Sequence, residues 1–372
     1  NAFLADVFDS NRLAVRVPSA HRSALIHSCA FIFVSRGVVS EGEPEVIIAT
    51  KSASDATALW DARRNRVSAA LSVDDRDRDT GYATLLHLYL PAKMGRPGRV
   101  MRISPNAWGS LEAVEVSTFS GPVPVEVLPY QPDEDRPFGK SRITRAVMYN
   151  TDAAMRTMLR TEVGAEFYNA PQRYALGADE DAFTDASGNP VPAWTVMLGR
   201  LLSLSRDEDG ELPQVGQFAQ QSMQPNVEQL RSIAQMFASE VSLDVGSLGI
   251  VQDNPSSAEA IRARHEELGV KIEGWRTSVL TPVWKRVLAH AAAMVDGSAS
   301  LAAEVSSISA QWGSWSAPSE VSQAQASLAR VQAVPRLAET SVELERMGYT
   351  ADEIKRIRAD WARTPEAPPV AV

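Results

Sequence analysis

The chain has 372 residues, 44% of them hydrophobic, which suffices for two or three folded units, and no apolar run reaches the roughly eighteen residues a membrane span needs. Its formal charge of -9 argues against a protein that coats nucleic acid by neutralising phosphates, since that task requires an excess of Lys and Arg. The single cysteine, Cys29, excludes a disulfide framework and a thiolate metal site, and fits a reducing, cytoplasmic origin.

The first residue is Asn1, with no basic segment and apolar core behind it, so the chain is expected to begin inside a longer gene product. From Asn11 to Leu128 short apolar runs alternate with turn residues. Their length and β-branched content predict strands at 13–17, 31–34, 46–50, 67–73, 85–90, 114–118 and 123–128. Cys29 adjoins the second of these and is expected to be buried. One helix is expected within this region at 54–64, with Ser54 or Asp55 as N-cap and Ala58, Leu59 and Ala62 on one face.

After Pro137 the period changes. Ile143, Val147, Thr151, Met155, Met158, Leu159 and Val163 form a stripe of helical spacing, predicting a long helix over 141–167. Its other faces carry Arg142, Arg145, Asp152, Arg156, Arg160, Glu162 and Glu166, and Asn169-Ala170-Pro171 ends it. Residues 169–225 hold five prolines, the turn Ser187-Gly188-Asn189 and an acidic tip at Asp207, Glu208 and Asp209. They read as a small excursion with short strands near 173–176 and 195–198.

A second helix is expected from Asn226, with Gln229 completing a capping box, and is expected to bury Val227, Leu230, Ile233, Ala234, Phe237 and Val241 before ending near Ser242. Residues 243–256 lack helical period, contain two glycines and a proline, and read as a loop of functional length. Ser256 and Glu259 make a capping box for a third helix, which Pro282 should kink or split within 258–295. A strand-like return at 308–315 and a helix at 320–334 follow. Gly348 is expected as a left-handed C-cap, and Thr350 with Glu353 as the capping box of a last helix. The Pro- and Ala-rich 364–372 should be disordered. The fold class is α+β.

Chemistry finds little to stand on. Gly139-Lys140-Ser141 before a helix looks like the end of a phosphate-binding loop, but Glu134 stands where that loop needs glycine, so Ser141 reads as an N-cap. His21, His27, His87, His265 and His290 are scattered, and His265-Glu266-Glu267 lacks the second histidine of a zinc helix. Gly246-Ser247-Leu248-Gly249 has the wrong spacing for a nucleophile elbow. No catalytic residue, metal or cofactor is assigned. The arginine face of 141–167 suits subunit contact or solvent better than DNA. Trp60, Trp108, Trp312 and Trp315 suit core or interface packing better than base stacking.

Two blocks in order carry a family resemblance. Arg136-Pro137-Phe138-Gly139-Lys140-Ser141-Arg142-Ile143 continues through Thr151-Asp152-Ala153-Ala154-Met155-Arg156 to Glu166-Phe167-Tyr168-Asn169-Ala170-Pro171-Gln172-Arg173-Tyr174, and Gln252-Asp253-Asn254-Pro255-Ser256-Ser257-Ala258-Glu259-Ala260-Ile261-Arg262 follows. Together they resemble the portal proteins of tailed double-stranded-DNA phages of the actinobacterial type. The resemblance implies a non-enzymatic head-to-tail connector at one capsid vertex of the virion, assembled in the host cytoplasm as a homo-oligomeric ring of about twelve copies closed by heterologous contacts. The alternatives are a head-assembly enzyme, nuclease or ATPase, and a monomeric structural adaptor.

The implied parts are a β-rich wing (1–138), a first stem helix (139–168), a clip (169–225), a second stem helix (226–242), a tunnel loop (243–256), a second wing segment with a kinked helix and return strand (257–319), a crown (320–363) and a disordered tail (364–372). Implied partners are passing double-stranded DNA, the terminase large subunit, a head-completion adaptor, and the major capsid and scaffold proteins, with no membrane. Ser247, Gln252, Asp253 and Asn254 would face DNA. Arg200, Arg206 and Asp207 would dock the clip, and Arg145, Arg156 and Arg160 would line the stem or its subunit contacts. An acidic ring would let the polyanion slide rather than hold it.

Overall fold

Two helices precede any strand: α1 (Ala2–Ser10) and α2 (Leu13–His27). The computed structural model describes residues 2–106, 109–169, 173–177, 189, 214–217, 222–250, 258–296, 301, 304–305, 307–308, 310, 312–313 and 320–363, in two units that divide after residue 310. The run 13–17, expected as a strand, is instead the start of α2. Leu13, Ala20 and Ala24 are buried at helical spacing while Val15 is 71% exposed, so a few β-branched residues gave the wrong period.

The strands up to residue 129 form two antiparallel sheets. β1 (Cys29–Arg36) lies between β2 (Val46–Ser52) and β8 (Val125–Pro129), while β3 (Ala56–Asp61), β4 (Arg66–Arg76), β5 (Ala83–Leu90), β6 (Gly98–Pro105) and β7 (Leu111–Phe119) follow one another in a five-stranded meander. The helix expected at 54–64 is thus a hairpin. Asp61 accepts the Arg64 amide at 3.1 Å and Asn65 takes a left-handed φ of 50°, which closes the turn and pairs Trp60 with Val67. Sequence reading also passed over β6, whose Val100 packs inward and pairs with Tyr89.

β1 is buried on both faces. Phe31 and Phe33 meet Tyr89, Val100 and Phe119 of the meander, and Ile32 and Val34 are fully buried on the opposite face, the side on which α2 and a later helix pack. Each such residue contributes about 1.5–3 kcal/mol, against about 0–1 kcal/mol for an exposed pair such as Arg64–Asp61, so the apolar layers hold this body together. Cys29 is free and buried here, as expected. The outer edge of β2 is covered by side chains. The Asn11 amide donates to the Val46 carbonyl at 2.9 Å and accepts the Ile48 amide at 2.7 Å, standing in for a neighbouring strand.

Beyond the sheets lie α3 (Arg145–Asn169), the short pair β9 (Arg173–Leu176) and β10 (Gln214–Gln217), and α4 (Gln224–Glu240). A long helix follows in two parts, α5 (Ala258–Trp275) and α6 (Thr281–Asp296), joined by a π-helical turn at Arg276–Leu280. Pro282 sits just past that turn, where the sequence placed a break, because a residue without an N–H forces the ladder to change register. α6 lies on β1, β2 and β8. In place of the expected return strand, the described residues Ile308, Ala310, Trp312 and Gly313 have no strand structure, and the Ile308 amide turns back to the Val305 carbonyl at 3.2 Å.

The unit after residue 310 contains α7 (Glu320–Ala333), α8 (Ser341–Arg346) and α9 (Ala351–Arg363). Both expected caps form. Gly348 takes φ 96° with the Tyr349 amide on the Leu344 carbonyl, and Thr350 and Glu353 exchange bonds of 2.7 and 3.4 Å. Arg330 grips the buried Glu343 carboxylate with Nη2 at 2.7 Å and Nε at 3.0 Å, joining α7 to α8. Residues 364–372, expected to be disordered, lie outside the described residues.

Candidate functional site: a helical pair and the loop at its foot

The approach to α3 is fixed by one close crossing. Gly139 has φ 74°, and a β-carbon there would stand 2.3 Å from the Tyr130 carbonyl oxygen, which accepts the Lys140 amide at 2.8 Å. Lys140 pairs with Asp133 at 2.7 Å, and this contact, more than burial can oppose, holds the Asp133 carboxyl below its usual range. Ser141 donates to the Ile26 carbonyl at 2.6 Å. The residues that resembled a phosphate loop therefore tie the α3 lead-in to the sheet and to the end of α2.

Ser141 is not the helix cap. Thr144 is, accepting the Val147 amide at 3.2 Å, so α3 starts later than its apolar spacing suggested. The cap reading at α4 also needs correction. The Asn226–Gln229 box does not cap that helix: its first amide, of Gln224, donates to Ser222 Oγ at 3.2 Å, Pro225 occupies its first turn, and Val227 is 49% exposed rather than buried, whereas Ile233 and Ala238 are buried.

α3 and α4 pack together, and α3 does so through small and polar residues. Val147, Asn150 and Thr157 are buried, with Ala154, Thr161 and Gly164 half-buried on the same side. A β-carbon on Gly164 would come within 3.0 Å of Met223, so the small face sets the approach of the two helices. Most of the apolar stripe read from the sequence faces away: Met155 is 64% exposed, Leu159 65% and Val163 51%. Met148, Met155 and Leu159 follow i, i+7, i+11 spacing and make one outward seam.

Arg145, Arg156 and Arg160 are all exposed on α3 and form no ion pair among the described residues. The structure thus places these three predicted residues together on one helix. Arg142 differs, since its guanidinium is turned to the foot of α4 and donates to the Val241 carbonyl. Thr144 Oγ1 donates to Glu240 Oε1 at 2.7 Å beside it.

The chain leaves α4 through Ser242, 6% exposed and at φ 52°. Its hydroxyl donates to Glu267 Oε1 at 2.7 Å and accepts from Lys271, which itself reaches Glu267 at 2.8 Å, so α5 is fastened to the foot of the pair. Lys271, then Ser242, keep the Glu267 carboxyl below its ordinary range. The following loop opens with a 3-10 turn at Val245–Leu248, capped by Asp244, whose carboxylate accepts the Gly246 amide at 3.1 Å. Ser247 is exposed on that turn. Gln252, Asp253, Asn254, Arg200, Arg206 and Asp207 lie outside the described residues.

Sequence reading missed the foot itself. Arg142, Ser242, Glu267 and Lys271 come from segments far apart in the chain, and the only sequence signal was the Glu267–Lys271 spacing of four on a helix. Nearby, a second cluster fastens the long helix. Trp275 donates to the Pro129 carbonyl at 2.8 Å, and Trp284 donates to His21 Nε2 at 3.1 Å. Burial lowers His21 to a pKa of about 4, so its ring is held neutral. No group of three metal-ligating side chains occurs among the described residues, and no helix among them is long and apolar enough to cross a membrane.

No family model matches the chain. It is similar to the portal proteins of bacteriophages. The relatives are the portal protein of Mycobacterium phage L5, 28% identical over 275 residues (72% of this chain, 53% of that protein), and the portal protein of Mycobacterium phage D29, 24% identical over 313 residues (78% and 58%). The chain thus spans a little over half the length of the curated relatives it matches.

Proposed function

We propose that this chain is a structural subunit of a phage portal: a ring at one capsid vertex, built of about twelve copies, through which double-stranded DNA is packaged and ejected. The observation that carries the reading is the similarity to two portal proteins over most of the chain. On this reading α3 and α4 are the stem, the two-sheet body with α5 and α6 is the wing, 243–256 is the tunnel loop and 320–363 the crown. The terminase large subunit and a head-completion adaptor dock on 169–225, through Arg200, Arg206 and Asp207, while capsid and scaffold proteins surround the ring.

The outward seam of Met148, Met155 and Leu159 supports the reading, because apolar side chains of this size in one row favour burial against another surface. A neighbouring copy is the partner the ring supplies, with Arg145, Arg156 and Arg160 at the margin of that contact or on the channel wall. The role assigns no bond-making chemistry to the chain, and the net charge of -9 suits passage of DNA without retention.

Negative-stain imaging of the purified protein, together with mass measurement, tests this. Closed rings with an axial channel are expected. A monodisperse monomer at every concentration and salt level would overturn the reading in favour of a monomeric adaptor.

A further inference from the structure

Between the two sheets, beside the aromatic core, runs an open slot of about 330 Å³, large enough for a small ligand. Its lining includes the apolar side chains of Phe33 and Ile47 from one sheet and Val100 from the other. It also holds hydrogen-bonding groups from β1, β2, β4, β5 and β7.

Those groups are out of balance. Asp74 is the one carboxylate lining the slot, and both of its oxygens are engaged. Lys51 meets Oδ1 at 2.8 Å, while Ser72 at 3.2 Å and His87 meet Oδ2. Burial opposes its charge, yet the bonds from His87 and Lys51 prevail and hold Asp74 at a pKa of about 2, ionised. Lys51 also donates to the Val73 carbonyl at 3.0 Å, which leaves one of its three N–H groups for a ligand.

Donors remain. Tyr89 is only 6% exposed, lines the slot, and its hydroxyl bonds to no group among the described residues. Burial first, then the Asp74 charge, raise its pKa far above neutrality, so it stays a donor. An acceptor entering the slot would gain a hydrogen bond from it. The Ser35 and Ser117 hydroxyls likewise bond to nothing among the described residues, and the exposed Arg36 guanidinium, also on the lining, has no ion pair there.

We propose that this slot binds a small organic acid: its apolar body against Phe33, Ile47 and Val100, its carboxylate at Arg36, and a second acceptor at the Tyr89 hydroxyl. A cation is disfavoured, because the one carboxylate on the lining is already paired with the Lys51 ammonium and bonded by Ser72 and His87. The slot lies in the two-sheet body and uses nothing from α3 or α4, so this inference stands or falls apart from the proposed portal role.

The test uses 4-acetylbenzoate as probe, with benzoate and 4-acetylbenzamide as comparisons, titrated against the full chain and followed by saturation-transfer NMR. 4-Acetylbenzoate is expected to bind. Arg36→Ala should weaken it about tenfold and bring it level with the uncharged amide. Tyr89→Phe, which keeps the ring and its packing, should weaken 4-acetylbenzoate about threefold to tenfold while leaving benzoate unchanged. Absence of transfer from any of the three compounds, or equal affinities in the wild type and both variants, would overturn the proposal.

Discussion

Arg142 and Val241, 99 residues apart in sequence, meet at the foot of the helical pair, where the guanidinium donates to a carbonyl at the C-terminal end of α4. A helix end leaves its last carbonyls without internal partners, so this bond serves as a C-cap supplied from another helix. Arg142→Ala is expected to cost about 1–3 kcal/mol, as for a hydrogen bond to a charged donor. Thermal unfolding would show it, and Arg142→Lys should recover only part, since an ammonium lacks the planar fork.

Gly139 and Lys140 should separate a structural role from a nucleotide role. Gly139→Ala places a β-carbon 2.3 Å from the Tyr130 oxygen at a left-handed φ, and is expected to destabilise by about 2–4 kcal/mol. Lys140→Ala removes an exposed pair and should cost about 1 kcal/mol or less. Denaturant midpoints of the two variants check the order, and a reversed order would mean the crossing is not what holds this segment.

The outward seam on α3 predicts an assembly phenotype without a folding one. Met155→Glu with Leu159→Glu adds charge at positions already 64% and 65% exposed, so monomer stability should move by no more than about 0.5 kcal/mol each. Ring yield, measured by sizing and imaging, should collapse. Rings forming normally in this variant would place the subunit contact elsewhere.

His21 predicts a pH dependence with a definite sign. Its folded pKa of about 4 lies below the reference 6.5, so above pH 6.5 the ring is neutral in both states and nothing is lost. As pH falls from 6.5 toward 4 the unfolded chain takes up a proton that the folded chain refuses. Stability then declines by up to about 3 kcal/mol, at 1.36 kcal/mol per unit. His21→Gln keeps an acceptor for Trp284 and should remove that share of the slope in urea titrations across the window. An unchanged slope would show that His21 is not its source.

Much of the helical half could be read in advance because its signals are local. The Thr350–Glu353 box, the Gly348 cap and the break before Pro282 each depend on residues within one or two turns, and all appear as read. The resemblance to portal proteins was likewise read from contiguous blocks, around Phe138 and Asn254.

Where the sequence by itself failed, the deciding partner lay far along the chain. Residues 13–17 and 54–64 carry weak, short periods, and became helix and hairpin only through packing on β1 and pairing with β4. The apolar stripe of α3 marked one face of a helix, yet the small residues beside it let α4 approach closely and left Met155 and Leu159 outside. Periodicity shows that a helix has faces. Which face is covered depends on the size of what stands opposite, and so on tertiary structure alone.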